Sequence, residues 1–311
     1  MLKNKLFLSG FGRLLTTYHL PLATLSAVLR RPLTAYRLPL TAVFLLSGCS
    51  MRTMAVRSTA EIIKGGMPAY LEEKDPDFAE ESMPSSLKLM EILLKNDPRN
   101  ASLLENLAQG YCGYSLMFME DEFPERASGF YARGEYYGMT ALRERRLSGG
   151  EKASIAVEKA RADDVPALFW TAFCKAGRVQ LHLDEPEAIA ELVRIVPLLE
   201  RVLALDPGYY NNGAHAVMGA YHASRPRILG GDTEKAKKHF EASLEGRGNS
   251  FQMNRFMYAK KGAVAMQDRD LFENLLKEVI ASGSPVPDQA LANEVARRKA
   301  KKLLEKADEL F

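Results

Sequence analysis

The chain has 311 residues, of which 47% are hydrophobic and 26% are charged, and this composition excludes an intrinsically disordered chain and a collagen-like fibre. Its length predicts about two ordinary domains or one elongated repeat array, with a core that needs no disulfide framework; the sequence has only 3 cysteines. The 42 basic and 39 acidic side chains leave a net charge of +3, which does not show where the charges lie.

The first 48 residues hold the excess of positive charge. Their six basic side chains have no acidic counterpart, and the remaining residues therefore carry 3 − 6 = −3. An apolar run over 38–46 follows the last of these charges and is too short, and too interrupted by Pro39, to span a bilayer. The basic total therefore indicates export rather than nucleic-acid binding. The six residues are Lys3, Lys5, Arg13, Arg30, Arg31 and Arg37.

The leader ends in Leu46-Ser47-Gly48-Cys49, which resembles a bacterial lipoprotein signal. We therefore predict that residues 1–48 are a signal peptide and that Cys49 is lipidated. Lipidation with several acyl chains would hold the protein firmly on a membrane. The alternative is a free cysteine after a chance apolar run. Ser50, a residue other than Asp after the cysteine, predicts sorting to the outer membrane on its periplasmic side. Because the leader exceeds the usual ~15–30 residues, we expect translation to begin near Val28 or Leu29.

The rest of the chain has the spacing of α-helices. Apolar residues recur at intervals of three and four and few segments alternate, so we expect no sheet. We predict a lipid-anchor tether with a first helix over 49–70 and an all-α domain over 71–311, which ends in a helix over 289–310. Asp-Pro and Gly-rich joints separate the helices. They lie at Asp75-Pro76, Asp97-Pro98, Ser148–Gly150, Asp184–Pro186, Asp206-Pro207, Gly230–Asp232 and Ser282–Pro287.

Three segments fit the two-helix tetratricopeptide (TPR) unit of about 34 residues. Because one such unit cannot bury its apolar face alone, stacking would form the core. We therefore predict a TPR-like helical repeat solenoid with three degenerate units plus flanking helices; a generic helical bundle is the alternative. First-helix positions are Leu104, Leu107, Ala108 and Tyr111; Trp170, Phe173 and Cys174; and His215, Ala216, Gly219 and Tyr221. Second-helix positions are Ser86, Met90 and Leu93; Ile195, Leu199 and Val202; and Ala236, Phe240 and Ser243.

Motifs of catalysis are missing from the sequence. Residues 147–151 look like the signature loop of an ABC ATPase, but no Gly-Lys dipeptide exists for a phosphate-binding loop, so we interpret Gly149-Gly150 as a helix stop. H-E-x-x-H, C-x-x-C and G-x-S-x-G are also missing. We predict a protein that is not an enzyme, with no catalytic residue, metal or cofactor. His215 and His222 share a helix face and would need a third ligand to bind a metal; hydrogen-bonded histidines in a helix interface are the simpler interpretation.

Two other features leave alternatives open. Cys112 and Cys174 fit as small apolar residues, or they pair in an oxidising compartment. The aromatic run between 111 and 137 exceeds what a core stripe requires, so part of it is interpreted as a groove for a peptide or an apolar ligand, with Arg126, Arg133 or Arg143 available to a carboxylate. The candidate groove residues are Tyr111, Tyr114, Phe118, Tyr131, Arg133, Trp170, His215 and Tyr221.

Most of the mature chain resembles one family, the TatT component associated with TRAP (tripartite ATP-independent periplasmic) transporters. The resemblance is carried by loose patterns in a fixed order behind the lipoprotein signal. They are Gly66-Met67, Leu71, Leu87–Glu91 before Asp97-Pro98, Gly110-Tyr111 with Phe118, Tyr131–Gly134, Asp206-Pro207 with Gly213, His215 and Gly219, and Leu229–Asp232 leading to Ala236, His239, Phe240 and Leu244.

This resemblance implies a periplasmic lipoprotein of helical repeats, present as a homotrimer with ligand-accessible pores. It implies binding to the solute-binding (P) subunit of a TRAP transporter and a role in handing over a small organic acid or an apolar ligand. An outer-membrane TPR scaffold of envelope assembly is the alternative function, and an enzyme that uses His215 and His222 is a third. Nucleic acid is not an expected partner.

Overall fold

The computed structural model describes residues 37–148, 157–225 and 230–311, and these ranges contain helices and no strand. The predicted all-α class is therefore confirmed for the described part of the chain. Two compact units are present, Met1–Met51 and Arg52–Phe311, and the second contains the hydrophobic core. Within the described ranges, no helix combines the length and the apolar character that crossing a membrane requires.

The described ranges contain the following helices in chain order. In the first half they are α1 Arg37–Gly66, α2 Pro68–Leu71, α3 Pro76–Leu94, α4 Ala101–Tyr114, the π-helix π1 Ser115–Met119, α5 Pro124–Ser148 and α6 Val165–Gln180. In the second half they are α7 Pro186–Glu191, α8 Val196–Leu205, α9 Tyr209–Ala223, α10 Thr233–Ser243, α11 Gln252–Met257, the π-helix π2 Tyr258–Ala263, α12 Val264–Met266, α13 Arg269–Ala281, α14 Ala290–Leu304 and α15 Ala307–Leu310.

Side-chain caps explain where several helices begin. Asp75 accepts hydrogen bonds from the backbone N–H groups of Asp77 and Phe78, and Pro76 occupies the first helical position of α3. Asn100 accepts from the N–H of Leu103 at the start of α4, and Asp232 caps α10 in the same way. The joints at Asp75-Pro76 and Gly230–Asp232 therefore mark helix boundaries, because the carboxylates of Asp75 and Asp232 satisfy N–H groups that have no partner within the helix.

Helices α4, α5 and α6 pack together around a disulfide between Cys112 and Cys174. Gly134 of α5 passes the bridge so closely that a Cβ atom there would lie 2.1 Å from the Cys112 sulfur. Of the two alternatives that the sequence left open, the structure has the paired cysteines. A glycine at position 134 follows from this contact, because no larger side chain fits beside the two sulfur atoms.

The helices that carry the predicted repeat positions contact one another, α3 with α4, α6 with α8, and α9 with α10, and the TPR-like units remain a prediction. The regular superhelix of a TPR solenoid stays a prediction. The last predicted helix is interrupted, since α14 ends at Leu304 and α15 begins at Ala307. Helix α5 ends at Ser148, and the predicted stop at Gly149-Gly150 lies outside the described residues.

Candidate functional site

A cavity of about 170 Å³ lies between helices within the unit Arg52–Phe311. Its wall is mostly apolar, with contributions from both π-helices and from α4, α5, α6, α9, α11 and α14. Such an apolar lining with a few polar groups at one place is typical of a small-molecule site. Representative lining residues are Leu116, Met117, Tyr131, Phe169, Trp170, Phe173, Tyr210, Val217, Phe251, Met257, Lys260 and Lys261.

Aromatic rings form one side of the cavity. The Trp170 ring lies edge-on to the rings of Phe169 and Tyr210, with centroid separations of 5.0 Å and 4.7 Å. Tyr210 in turn meets Phe251 at 5.6 Å. Edge-to-face packing is a favoured arrangement of aromatic rings, so each ring of this wall is stabilised by its neighbours.

Glycines leave the space that the rings occupy. A Cβ atom on Gly177 would lie 2.5 Å from the Tyr131 ring, and one on Gly213 would lie 2.7 Å from Cζ of Phe169. Both distances are shorter than a van der Waals contact, so a larger residue would push a ring out of place. The glycines therefore help to set the shape of the cavity wall.

A left-handed turn carries Tyr210 into the aromatic wall. Tyr210, Asn211 and Asn212 have φ values of 47°, 57° and 62°, a conformation that costs non-glycine residues energy. The side-chain amide of Asn254 donates to the backbone oxygens of Asn211 at 2.7 Å and of Ser243 at 2.9 Å. The turn persists because surrounding groups hold it, and strain of this kind is frequent at functional sites.

Further amides complete the hold on this turn. Gln289 donates from Nε2 to the side-chain oxygen of Asn211 at 2.8 Å. Asn212 donates from Nδ2 to the backbone oxygen of Glu245 at 2.7 Å. We call the buried amides Asn254, Gln289 and Asn293, together with the turn they hold, the amide network; Asn293 accepts from the N–H of Gln252 at 2.8 Å.

The charged groups that line the cavity come from π2 and from the two residues that follow π1. Lys260 lies 3.1 Å from a carboxylate oxygen of Glu120 and 3.1 Å from one of Asp121. Lys299 of α14 pairs with the other oxygen of Asp121. Glu120 also accepts a hydrogen bond of 2.9 Å from the Tyr131 hydroxyl. Lys260 is thus neutralised by two carboxylates.

Lys261 differs from its neighbour. Within the described ranges its ammonium group has no hydrogen bond or ion pair, although it lines the same cavity. Burial, assisted by the positive charge of Lys260, lowers its pKa to about 8. For Asp121 burial works in the opposite direction, but Lys260 and Lys299 outweigh it and lower the pKa to about 2.

The structure separates the eight candidate groove residues. Tyr131 and Trp170 line the cavity. Tyr111 and Arg133 lie elsewhere, beside Glu91: the Tyr111 hydroxyl donates to Glu91 at 2.7 Å, and the Arg133 guanidinium stacks over the Tyr111 ring at 5.7 Å. Burial and the Glu91 carboxylate raise the pKa of Tyr111 to about 12. The Arg133 guanidinium therefore already interacts with Tyr111.

The other four candidates form two further groups. Tyr114 packs against Phe118 with a centroid separation of 5.4 Å and borders a shallow acidic depression. His215 shares a hydrogen bond of 3.0 Å with His239, joining their Nδ1 atoms, and Tyr221 lies edge-on to His222. The sequence residues thus occupy four places, of which one is the cavity.

Histidines 215, 222 and 239 form a cluster between α9 and α10. The His222 and His239 rings stack at 5.7 Å, and burial together with the two neighbouring imidazoles lowers the pKa of His239 to about 4. Among the described residues no group of three or more potential ligands has the arrangement for a metal ion. The hydrogen bond within a helix interface agrees with the simpler sequence interpretation.

Sequence reasoning missed Lys260, Lys261, Glu120 and Asp121. A signal was available, since Lys260-Lys261 interrupts the apolar stretch between Phe256 and Val264. Their meeting with 120 and 121 joins segments about 140 positions apart, a separation that no local pattern reports. The sequence pattern instead predicts that arginines of α5 bind a ligand carboxylate.

The described ranges are all-helical and enclose an apolar cavity with charged groups at one end, an arrangement that a small-molecule site would use. Comparison with protein families gives the particular assignment. Residues 72–311 match the TRAP transporter T-component family, and the chain belongs to that family. The resemblance predicted from sequence is thereby confirmed. The chain is also similar to an uncharacterized protein of Treponema pallidum (strain Nichols), 24% identical over 307 residues that cover 86% of this chain and 94% of that protein.

Proposed function

We propose that the protein is a periplasmic lipoprotein scaffold that binds the solute-binding subunit of a TRAP-type transporter and holds a small, largely apolar ligand during its transfer. Membership of the T-component family supports the link to transport. The apolar cavity is the observation that carries the ligand-binding part of the proposal. The family is a transporter component and not a family of enzymes, which agrees with the catalytic motifs missing from the sequence.

The buried disulfide supports the proposed compartment. Disulfides persist in oxidising environments such as the bacterial periplasm and are rare in the reducing cytosol. Cys112 and Cys174 are 62 positions apart and both are fully buried, so the bridge is structural rather than a surface contact. Lipidation at Cys49, the outer-membrane location and the trimer belong to the same proposal and rest on the sequence.

Capture of partners tests the scaffold. The tagged full chain, expressed in its own cells, is expected to recover a TRAP solute-binding protein from a mild periplasmic extract after chemical crosslinking. An unrelated tagged lipoprotein serves as the control. Recovery of envelope-assembly proteins in place of a solute-binding protein would instead favour the alternative scaffold.

Fluorescence of Nile red tests the cavity. Ala176 lines it, so the variant Ala176→Trp should fill it and weaken binding of the dye by about tenfold or more. The matched variant Ala281→Trp changes an exposed residue at the end of α13 and should bind like the wild type. Equal binding by all three proteins would place the dye outside the cavity and contradict the ligand-binding part. Circular dichroism checks that both variants fold.

A further inference from the structure

One side of α5, together with the residue just before the helix, carries arginine and aromatic side chains. Phe123, Arg126, Phe130, Arg133 and Tyr136 follow one another at intervals of three and four, which places them on one side of the helix. Phe123 and Tyr136 are 48% and 63% exposed, and both arginines are exposed as well. We call these five residues the arginine face. Exposed aromatic residues beside arginines are typical of protein interfaces, where Tyr, Trp and Arg contribute most of the binding energy.

Aromatic rings hold the two guanidinium groups of this face. The Arg126 guanidinium lies 6.0 Å from the ring centroid of Phe123 and 5.8 Å from that of Phe130. The Arg133 guanidinium lies 5.8 Å from the same Phe130 centroid and 5.7 Å from that of Tyr111. Stacking on rings leaves most N–H donors available and reduces the side-chain entropy that a further hydrogen bond costs. Both arginines are therefore arranged in advance for another acceptor.

The charges of the two arginines have no carboxylate partner among the described residues. Arg133 donates one hydrogen bond of 3.4 Å to the Tyr111 hydroxyl, and Arg126 borders the acidic depression without forming an ion pair there. Exposure is not the reason, because the exposed Arg247 and Arg269 lie 2.8 Å and 2.6 Å from carboxylate oxygens. Two positive charges therefore remain for the carboxylates of a partner to neutralise.

The surface between the two arginines is open. Gly129 lies between them along α5, and a Cβ atom there would meet no atom within 4 Å. Ala132 beside Arg133 is exposed and small. The arginines are two helical turns apart, which is about 10 Å along the helix axis. A peptide backbone can therefore approach α5 between them while each guanidinium takes one carboxylate.

The composition of α5 favours a protein partner over a membrane. The helix contains five arginines and no lysine. Enrichment of arginine with depletion of lysine is typical of protein interfaces, since a guanidinium is more weakly hydrated than an ammonium group and pairs with carboxylates in a planar geometry. A helix that lies on an anionic membrane is usually rich in lysine as well as arginine. The acceptors are therefore expected on a protein surface.

We infer that the arginine face binds an acidic segment of the solute-binding subunit, and that Arg126 and Arg133 each donate hydrogen bonds to a carboxylate of that segment. This inference rests on the proposed function; it names the surface of this chain that meets the subunit and the charge of the opposite surface. Phe123 and Tyr136 pack around the two pairs and exclude water, which strengthens each charge-assisted hydrogen bond.

Calorimetry between the full chain and the solute-binding protein recovered by the capture experiment tests this surface. Arg126→Gln/Arg133→Gln should weaken binding at least about tenfold, because two charged donors are lost. Arg126→Lys/Arg133→Lys keeps both charges but not the planar donors, and should weaken binding about threefold or more. The matched control Lys237→Gln/Lys238→Gln removes the same charge from exposed residues of α10 and should bind like the wild type. Higher salt should weaken binding of the wild type more than that of the glutamine variant.

The outcomes separate this inference from the proposed function. Wild-type binding that the glutamine variant leaves unchanged, or an equal loss in the Lys237/Lys238 control, would overturn the assignment of the arginine face while the proposed function stands. Lysine variants that bind like the wild type would contradict the paired hydrogen bonds. If the wild type binds no solute-binding protein, the scaffold part of the proposed function fails.

A membrane as the true partner gives a different result. In that case the glutamine variant would lose affinity for vesicles that contain phosphatidylglycerol but would bind the solute-binding protein like the wild type, and the inference would be wrong. Both arginines are exposed, so the variants should fold, and their melting temperatures verify this.

Discussion

Two regions of the molecule are held together by different kinds of interaction. Around the Cys112–Cys174 bridge, α4, α5 and α6 come close together through small residues and a covalent link. Around the left-handed turn at 210–212, the chain instead depends on the amide network, which satisfies backbone groups that the irregular turn leaves without helical partners. The first region is held by close contact and a covalent bond, the second by buried hydrogen bonds.

The difference matters for the cavity, because both regions contribute to its wall. Tyr131, Phe169 and Trp170 belong to helices of the disulfide region, while Tyr210 and Phe251 are positioned beside the amide network. A change in either region should reach the aromatic wall, through helix spacing in one case and through the turn in the other. The following predictions test which kind of support contributes more.

The disulfide should give the largest effect. Cross-linking residues 62 positions apart restricts the unfolded chain, so the double variant Cys112→Ala/Cys174→Ala should lose about 4 kcal/mol of unfolding free energy. Urea unfolding followed by circular dichroism measures this loss. Treatment of the wild type with a reducing agent in denaturant provides an independent comparison and should approach the same midpoint. A loss below about 1 kcal/mol would show that helix packing alone holds this region.

A change in the amide network should cause the second-largest loss of unfolding free energy. Asn254→Ala removes donors to the backbone oxygens of Asn211 and Ser243, both in a largely buried setting, and should cost about 2–3 kcal/mol. The control Asn96→Ala removes one exposed hydrogen bond to Ile92 and should cost well under about 1 kcal/mol. Tryptophan fluorescence should change only in Asn254→Ala, since the chain has 1 tryptophan and it packs on Tyr210. Equal losses of unfolding free energy in both variants would mean that the turn at 210–212 is stable without the hydrogen bonds from Asn254.

The same contrast explains what could be predicted from the sequence. The all-α class and the capped helix starts follow local rules of spacing and capping, and the structure agrees with them. The local sequence of the segment 209–213, Tyr-Tyr-Asn-Asn-Gly, does not predict three left-handed residues in succession. Its conformation depends on Asn254 and Gln289, which lie about 40 and 80 positions further along the chain.

The residues that line the cavity are likewise only partly predictable from the sequence. Large aromatic residues at helical spacing predict groove positions for Tyr131 and Trp170, which line the cavity, but Tyr111 and Tyr114 have the same pattern and lie elsewhere. Whether an aromatic residue faces a cavity or the core depends on how the helices are placed. Lys261 is distinguished by the missing counter-charge, and this appears only when Glu120 and Asp121 are seen to pair with Lys260.

The histidine cluster between α9 and α10 should give the smallest effect on the unfolding free energy, and this effect depends on pH. The pKa of His239 is about 4 in the folded protein, against a usual value of 6.5, because burial and the neighbouring His215 and His222 oppose its charge. The unfolded chain therefore binds more protons between these values, and the unfolding free energy should fall as the pH falls from 6.5 to 4. Partial exposure limits the contribution to about 1–2 kcal/mol.

The variant His239→Gln isolates this contribution, because a glutamine at 239 does not titrate. Urea unfolding of the wild type and the variant should give free energies whose difference changes by about 1–2 kcal/mol between about pH 7 and about pH 4. If the His239→Gln difference stays constant with pH, the folded state accommodates the charge on His239 without a loss of unfolding free energy. A constant difference would also remove the contrast with the disulfide region, whose bridge does not titrate.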